Sequence, residues 1–251
     1  MSVTRRTLLR GVGIAGGSFA GLAAAAKIAE KYDLIPPDHS GIFGIGETLT
    51  YGAQRLITSG HSLAREFSRS EISKSFPVNG PVPEDDTYQR LLADDFVNWR
   101  LNVGGLVTRP TSFSLNDLKR LPSRSQITMH VCEEGWSCIA EWTGVLLSDV
   151  MRLVGVQPNA KYVVFYPFDA CWESIDMADA LHPQTLLAYS MNSKELPYPH
   201  GGPLRVRIAR QLGYKSVKYL SRIEMVDSVK NIGQGLGSYS PEIGYSWYAG
   251  I

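Results

Sequence analysis

The chain has 251 residues, 44% of them hydrophobic and 20% charged, and a net charge of +1. That is ample material for a buried core, with no basic excess and no arginine–aromatic stripe, so a nucleic-acid partner is excluded from the expectations. Three cysteines, Cys132, Cys138 and Cys171, are an odd number, so one thiol stays unpaired unless another chain supplies a partner.

Residues 1–26 begin with Thr4-Arg-Arg-Thr-Leu-Leu-Arg10 and continue through a Gly- and Ala-rich apolar stretch, Gly11 to Ala26. A paired arginine, a modest apolar core and small residues at its end have the layout of a twin-arginine export signal. The stretch is shorter than the ~20 apolar residues of a membrane span. Export to the periplasm is therefore expected, with association to the inner membrane if the segment stays uncut. An oxidising destination endangers an exposed thiol, whereas a metal bound before export protects it.

Residues 27–90 read as an N-terminal arm that wraps a domain formed by residues 91–251. Breaker clusters at Ile35–Gly41 and Phe76–Pro83 bracket one or two short helices between Glu47 and Arg69. From Trp99 onward, Trp99, Leu101 and Val103 alternate with polar residues as in a half-buried strand. Ser114-Leu-Asn-Asp117 is a capping-box-like start for a helix carrying Leu115, Leu118 and Leu121. Ile127, Met129 and Val131 alternate with Thr128, His130 and Cys132, which places His130 and Cys132 on the polar face of a strand. Thr143 is expected to cap a helix bearing Leu146, Val150 and Val154 and closed by Gly155. Further strands are expected over Lys161–Tyr166, Leu204–Ile208 and Ser216–Val226, without regular strand–helix repetition. The fold class that follows is α+β, in a single domain with a mixed sheet.

Cys132 ends its strand and is followed by Glu133, Glu134 and Gly135, so it should face a pocket. A thiolate there can bind a metal or act as a nucleophile, and a buried structural thiol is the bland alternative. His130, Cys132 and Cys138 lack paired zinc spacing, and His130, His182 or His200 could serve a cysteine nucleophile as base. His200-Gly-Gly-Pro-Leu-Arg205 and Lys215-Ser-Val-Lys218 gather donors suited to an anion, although surface cations beside a turn would look the same. Asp169, Glu173 and Asp176 read as solvated loop carboxylates, and Trp136, Trp142 and Trp172 as core or pocket-wall residues.

Five segments, in order, resemble the sulfite oxidase-like, molybdopterin-dependent oxidoreductases over roughly Phe76 to Val226. They are Cys132–Ser137, Trp142–Leu147, His182–Asn192, His200–Arg205 and Gly213–Tyr219. The resemblance implies a molybdopterin-binding domain of the sulfite oxidase catalytic-domain type, holding molybdenum on a single pterin. It implies Cys132 as the metal ligand and catalytic residue, and His200, Arg205, Ser216, Val217 and Lys218 as contacts to the pterin phosphate. Phe76 and Asn79, and Asp169 or a neighbour, are expected to touch the cofactor as well.

Sulfite-oxidising members of that family carry arginines just after the cysteine, where this chain has Glu133 and Glu134, which repel a dianion. The pattern is nearer to the periplasmic methionine sulfoxide reductase catalytic subunits, from which Gly135 and His200 depart. The expectation is oxygen-atom transfer such as S- or N-oxide reduction, on a small oxide or oxyanion or on a protein sulfoxide. No haem-binding C-x-x-C-H occurs, so a membrane cytochrome b subunit or a soluble cytochrome would exchange the electrons. Competing readings are a sulfite dehydrogenase, a metal-free periplasmic binding protein that keeps the fold, and a cysteine hydrolase.

Overall fold

Strand β1 (Arg100–Gly105) buries Leu101 and Val103 and turns Arg100 and Asn102 outward, as their alternation predicts. It pairs antiparallel with β2 (Thr111–Ser114) and parallel with β10 (Leu220–Val226). The sheet continues antiparallel through β5 (Tyr162–Pro167) to β6 (Glu173–Asp176). A second sheet joins β3 (Ser123–Val131), β4 (Ser137–Leu146), β7 (Thr185–Met191) and β8 (Lys194–Glu195), with β9 (Arg205–Ile208) also paired to β7. This is the computed structural model of the chain; it describes residues 29, 34–57 and 62–251, so the expected export signal lies outside the described residues. The mixed sheet and short helices make the fold α+β.

One apolar core lies where the two sheets meet. Leu101, Phe165 and Ile223 come from the first sheet, and Val145, Leu187 and Val206 from the second. Helix α4 (Leu147–Val154) adds Leu147, Val150 and Val154, and Gly155 ends it in the left-handed region at φ 68°. Helix α3 (Leu115–Lys119) begins at a true capping box, in which Ser114 Oγ accepts from the Asp117 N–H and Asp117 accepts from the Ser114 N–H. Thr143 is no cap: it lies inside β4, beside Ser125 Oγ at 2.6 Å, and the helix starts four residues later. The last strand likewise starts at Leu220 rather than Ser216, because Ser216 to Tyr219 form the turn that leads into it.

The face of β3 carrying Gln126, Thr128 and His130 is the buried one, while Ile127, Met129 and Val131 are less covered. Polar side chains occupy that interior because Arg207 reaches across from β9, donating to Thr128 Oγ1 at 3.3 Å and the Met129 carbonyl at 2.6 Å.

In the stretch expected as an arm, helix α1 (Gly44–Ile57) is fixed by Arg55, which is paired with Asp176 and, at 3.0 Å, with Asp179. Further on, Glu66 bridges to Thr128 on the outer edge of β3, and the Ser73 N–H donates to the Ile139 carbonyl of β4. Helix α2 (Asp86–Ala93) is capped by Asp85, which accepts from the Tyr88 N–H. Two one-turn helices, α5 (Met177–Ala180) and α6 (Tyr239–Glu242), complete the elements used below. Among the described residues, no helix is long and apolar enough to cross a membrane.

Candidate cofactor site

Cys132 opens the tight turn between β3 and β4, where its N–H donates to the Trp136 carbonyl and its own carbonyl accepts from the Gly135 N–H. Its side chain is 3% exposed. Asn79 Nδ2 donates to Cys132 Sγ at 3.1 Å and lies 3.3 Å from Glu133 Oε1. Burial raises the thiol pKa and the Glu133 charge adds to the rise, while the Glu134 backbone N–H and the Asn79 amide oppose it.

A cavity of about 640 Å³ opens beside this turn. Phe76, Asn79, His200, Arg205, Ser216, Val217 and Lys218, all singled out in the sequence, line it, and Cys132 touches its wall through Asn79. Phe76 forms a hub there, its ring 5.4 Å from those of His130 and His200, 5.6 Å from Trp136 and 5.7 Å from Trp142. Gly201, at φ 104°, sits where an added Cβ would fall 2.8 Å from Lys218 Cβ, so glycine lets this turn press against the lysine.

The far side of the cavity is cationic. Arg205 is buried and donates only to carbonyls, those of His200 at 2.9 Å, Ser216 at 2.7 Å and Val206 at 3.5 Å, with its guanidinium 5.1 Å over Trp142. Arg207, behind it, also bonds no carboxylate among the described residues, and its Nε has no partner. Burial lowers Arg205 to about 10 and Arg207 to about 9, which leaves both charged at neutral pH. Lys218 Nζ donates to the Asn79 carbonyl at 2.5 Å, and burial beside Arg205 lowers it to about 8. Burial with Arg207 and Arg205 nearby pushes His130 down to about 2, and its buried Nδ1 has no partner.

Three residues of the expected donor cluster and carboxylate set behave differently. Lys215 is fully buried and turned away, 2.7 Å from Glu173 Oε2, with the Ser174 carbonyl and Ser238 Oγ as further acceptors. Glu173 is therefore not a solvated loop carboxylate but half of an internal ion pair, and Asp176 is the N-cap of α5. His182 lies away from the cavity, accepting from the Gln184 N–H and facing the Ser62 carbonyl. No group of three His, Cys, Asp or Glu that could hold a metal occurs among the described residues.

The sequence reading missed Tyr239, Ile243 and Tyr245, which bring the C-terminal segment to the cavity wall. The aromatic density of Tyr239, Tyr245, Trp247 and Tyr248 was the available signal. Arg207 was missed as well, because its partners lie on a strand 78 residues away.

The donor set fits an anionic phosphate on a pterin and a single thiolate ligand. Buried guanidinium groups without carboxylates need an anion, and a lone thiol beside them suits a metal whose other ligands come from the cofactor. The model of the oxidoreductase molybdopterin binding domain matches residues 80–232. A chain of Azospira oryzae, provisionally named a protein-methionine-sulfoxide reductase subunit, YedZ1, is 38% identical over 190 residues, which cover 76% of this chain and 69% of that one. The protein-methionine-sulfoxide reductase catalytic subunit MsrP of Xanthomonas axonopodis pv. citri is 33% identical over 52% of this chain and 46% of its own. The crystal structure of the sulfane dehydrogenase SoxCD from Paracoccus pantotrophus superposes with a TM-score of 0.51 at 26% identity, over 53% of this chain and 40% of that one.

Proposed function

The chain belongs to the oxidoreductase molybdopterin binding domain family, and from that premise we propose that it is an exported S-oxide reductase acting on methionine sulfoxide in proteins. The observation that carries this reading is the cavity joining the Cys132 turn to buried, carboxylate-free Arg205 and to Lys218. Cys132 would ligate the molybdenum. Arg205, Lys218, His200 and the Ser216–Lys218 turn would hold the pterin phosphate, with Phe76 and Asn79 closing the cavity from the arm. When bound, the cofactor supplies the exchange of two electrons and one oxygen atom; the polypeptide orients it and shapes its field.

The direction and substrate class rest on the cavity mouth. Glu133 lines it, and Glu134 accepts from Trp136 Nε1 at 3.0 Å. Two carboxylates next to the reacting centre disfavour sulfite and admit a neutral sulfoxide. Trp136, Tyr214 and Tyr245 offer ring surfaces to a thioether and its methyl group. The net reaction takes a sulfoxide, two protons and two electrons to a sulfide and water. The electrons would come from a membrane cytochrome b subunit or a soluble cytochrome.

Holoenzyme made with its cofactor pathway intact should contain stoichiometric molybdenum and oxidise a reduced viologen dye when oxidised protein is added. The Cys132→Ser protein should lose that activity while retaining more pterin than metal. Molybdenum-free protein, full activity in the serine variant, or sulfite-dependent cytochrome reduction without sulfoxide turnover would each overturn the proposal.

A further inference from the structure

Helix α1 is amphipathic with its polar face turned inward. Arg55 pairs with Asp179, Glu47 accepts from Ser246 Oγ at 3.1 Å, and Tyr51 packs on Trp247 at 5.7 Å. Outward go Ile45, Leu49, Ala53 and Leu56, at the three- and four-residue steps of one helical stripe. Ile45 is 83% exposed, Leu49 69% and Leu56 58%; Ile42, Phe43 and Ile57 flank the stripe, also exposed. No charged residue of α1 faces out, and Thr50 is the one exposed polar side chain of the helix. Isolated apolar side chains need no explanation, but a continuous stripe on one helix does.

We infer that this stripe lies in the interface of a lipid bilayer, as the second of two apolar contacts that hold the enzyme at the membrane surface. The first is the Gly11–Ala26 stretch of the uncut chain, with Arg5, Arg6 and Arg10 ahead of it, whose charges match anionic headgroups. Residues 34–41 are folded against the body, with Asp38 accepting from the Trp247 N–H, so residues 27–33 join the two and reach at most about 25 Å when extended, enough for both to meet one bilayer. A short apolar segment alone anchors weakly, and stable attachment takes two signals. A charge-free convex helix suits acyl chains, where a protein partner would be expected to meet polar rim residues. The C-terminal segment links this contact to the catalytic cavity: Tyr245 lines the cavity, while Ser246 and Trp247 hold α1.

The test uses the full-length holoenzyme with phosphatidylcholine–phosphatidylglycerol vesicles containing a photoactivatable lipid. Label should appear in the peptide spanning residues 42–57, and the Ile45→Glu/Leu49→Glu variant should lose at least tenfold of that label and float less with the vesicles. Both positions are on the surface, so unchanged circular dichroism and unchanged dye-linked activity control for folding. Label confined to residues 1–33 would overturn the inference. So would a concentration-dependent dimer that the variant abolishes, since α1 would then join copies of the chain.

Discussion

Replacing Lys215 by Met tests whether the turn that carries Ser216, Val217 and Lys218 is held from below by an internal ion pair. Lys215 Nζ lies 2.7 Å from Glu173 Oε2, with side-chain exposures of 0% and 2%. All three ammonium protons have acceptors, and Glu173 Oε1 accepts from the Ser240 N–H at 3.1 Å and from its hydroxyl. Removing one partner leaves a buried carboxylate without its cation, which costs about 3–5 kcal/mol. For a domain of this size each kcal/mol moves Tm by about 2–4 °C, so the melting temperature of the metal-free protein should fall by roughly 6–20 °C. Changing both members to apolar residues of similar volume should recover most of the loss, because the desolvation of the pair is relieved together with its attraction. The assay is thermal and urea unfolding of the single and double variants, read as a double-mutant cycle. A loss below about 1 kcal/mol for Lys215→Met, or additivity of the two changes, would refute the reasoning. Bound pterin should also decline in the single variant, since Ser216 and Lys218 follow directly in the chain.

Other perturbations reach separate parts of the molecule. Lys218 has a folded pKa of about 8 against an ordinary 10.5, so between those values the unfolded chain binds more protons and stability should rise with pH. The rise should be smaller in Lys218→Met, measured as the difference between two Tm–pH curves of cofactor-free protein. The Ser114→Ala variant removes the cap on α3 and should cost about 1 kcal/mol in urea unfolding. Arg55→Met takes away the cation shared by Asp176 and Asp179; amide exchange in α1 should quicken at least tenfold while β5 and β10 stay protected. Glu133→Gln combined with Glu134→Gln should tighten inhibition by sulfate about thirtyfold, the effect of about 1 kcal/mol for each of the two charges at 4 Å in water; unchanged inhibition would remove the electrostatic argument for a neutral substrate.

Where local chemistry decided the outcome, the sequence was readable. Ser114 and Asp117 satisfy each other, Gly155 takes the left-handed turn, and Leu101 and Val103 alternate because one face of β1 is buried. The gathering of His200, Arg205, Ser216 and Lys218 was also visible, because they fall in two short stretches joined by β9. What escaped depended on distant partners. Thr143 sits in a strand since β4 continues beside β7 to Leu146, and a cap-like residue cannot announce such a pairing. The buried polar face of β3 follows from Arg207 arriving from β9, and Glu173 is internal because Lys215 meets it. Helix α1 hides its charges for the same reason: Asp176 and Asp179 belong to another part of the chain.

Strand β3 is the last of its sheet, and an unfinished border of that kind invites recruitment of foreign strands. Residues 66–67 cover it, through the Glu66–Thr128 bridge and the Phe67 N–H to the Ile127 carbonyl, and the chain then ties to β4 through Ser73 against Ile139. A few positions later the same run delivers Phe76 and Asn79 to the thiol turn. Guarding against aggregation and roofing the cavity are thus one structural event. Damage to this ribbon should reveal itself as sticky protein and empty protein together.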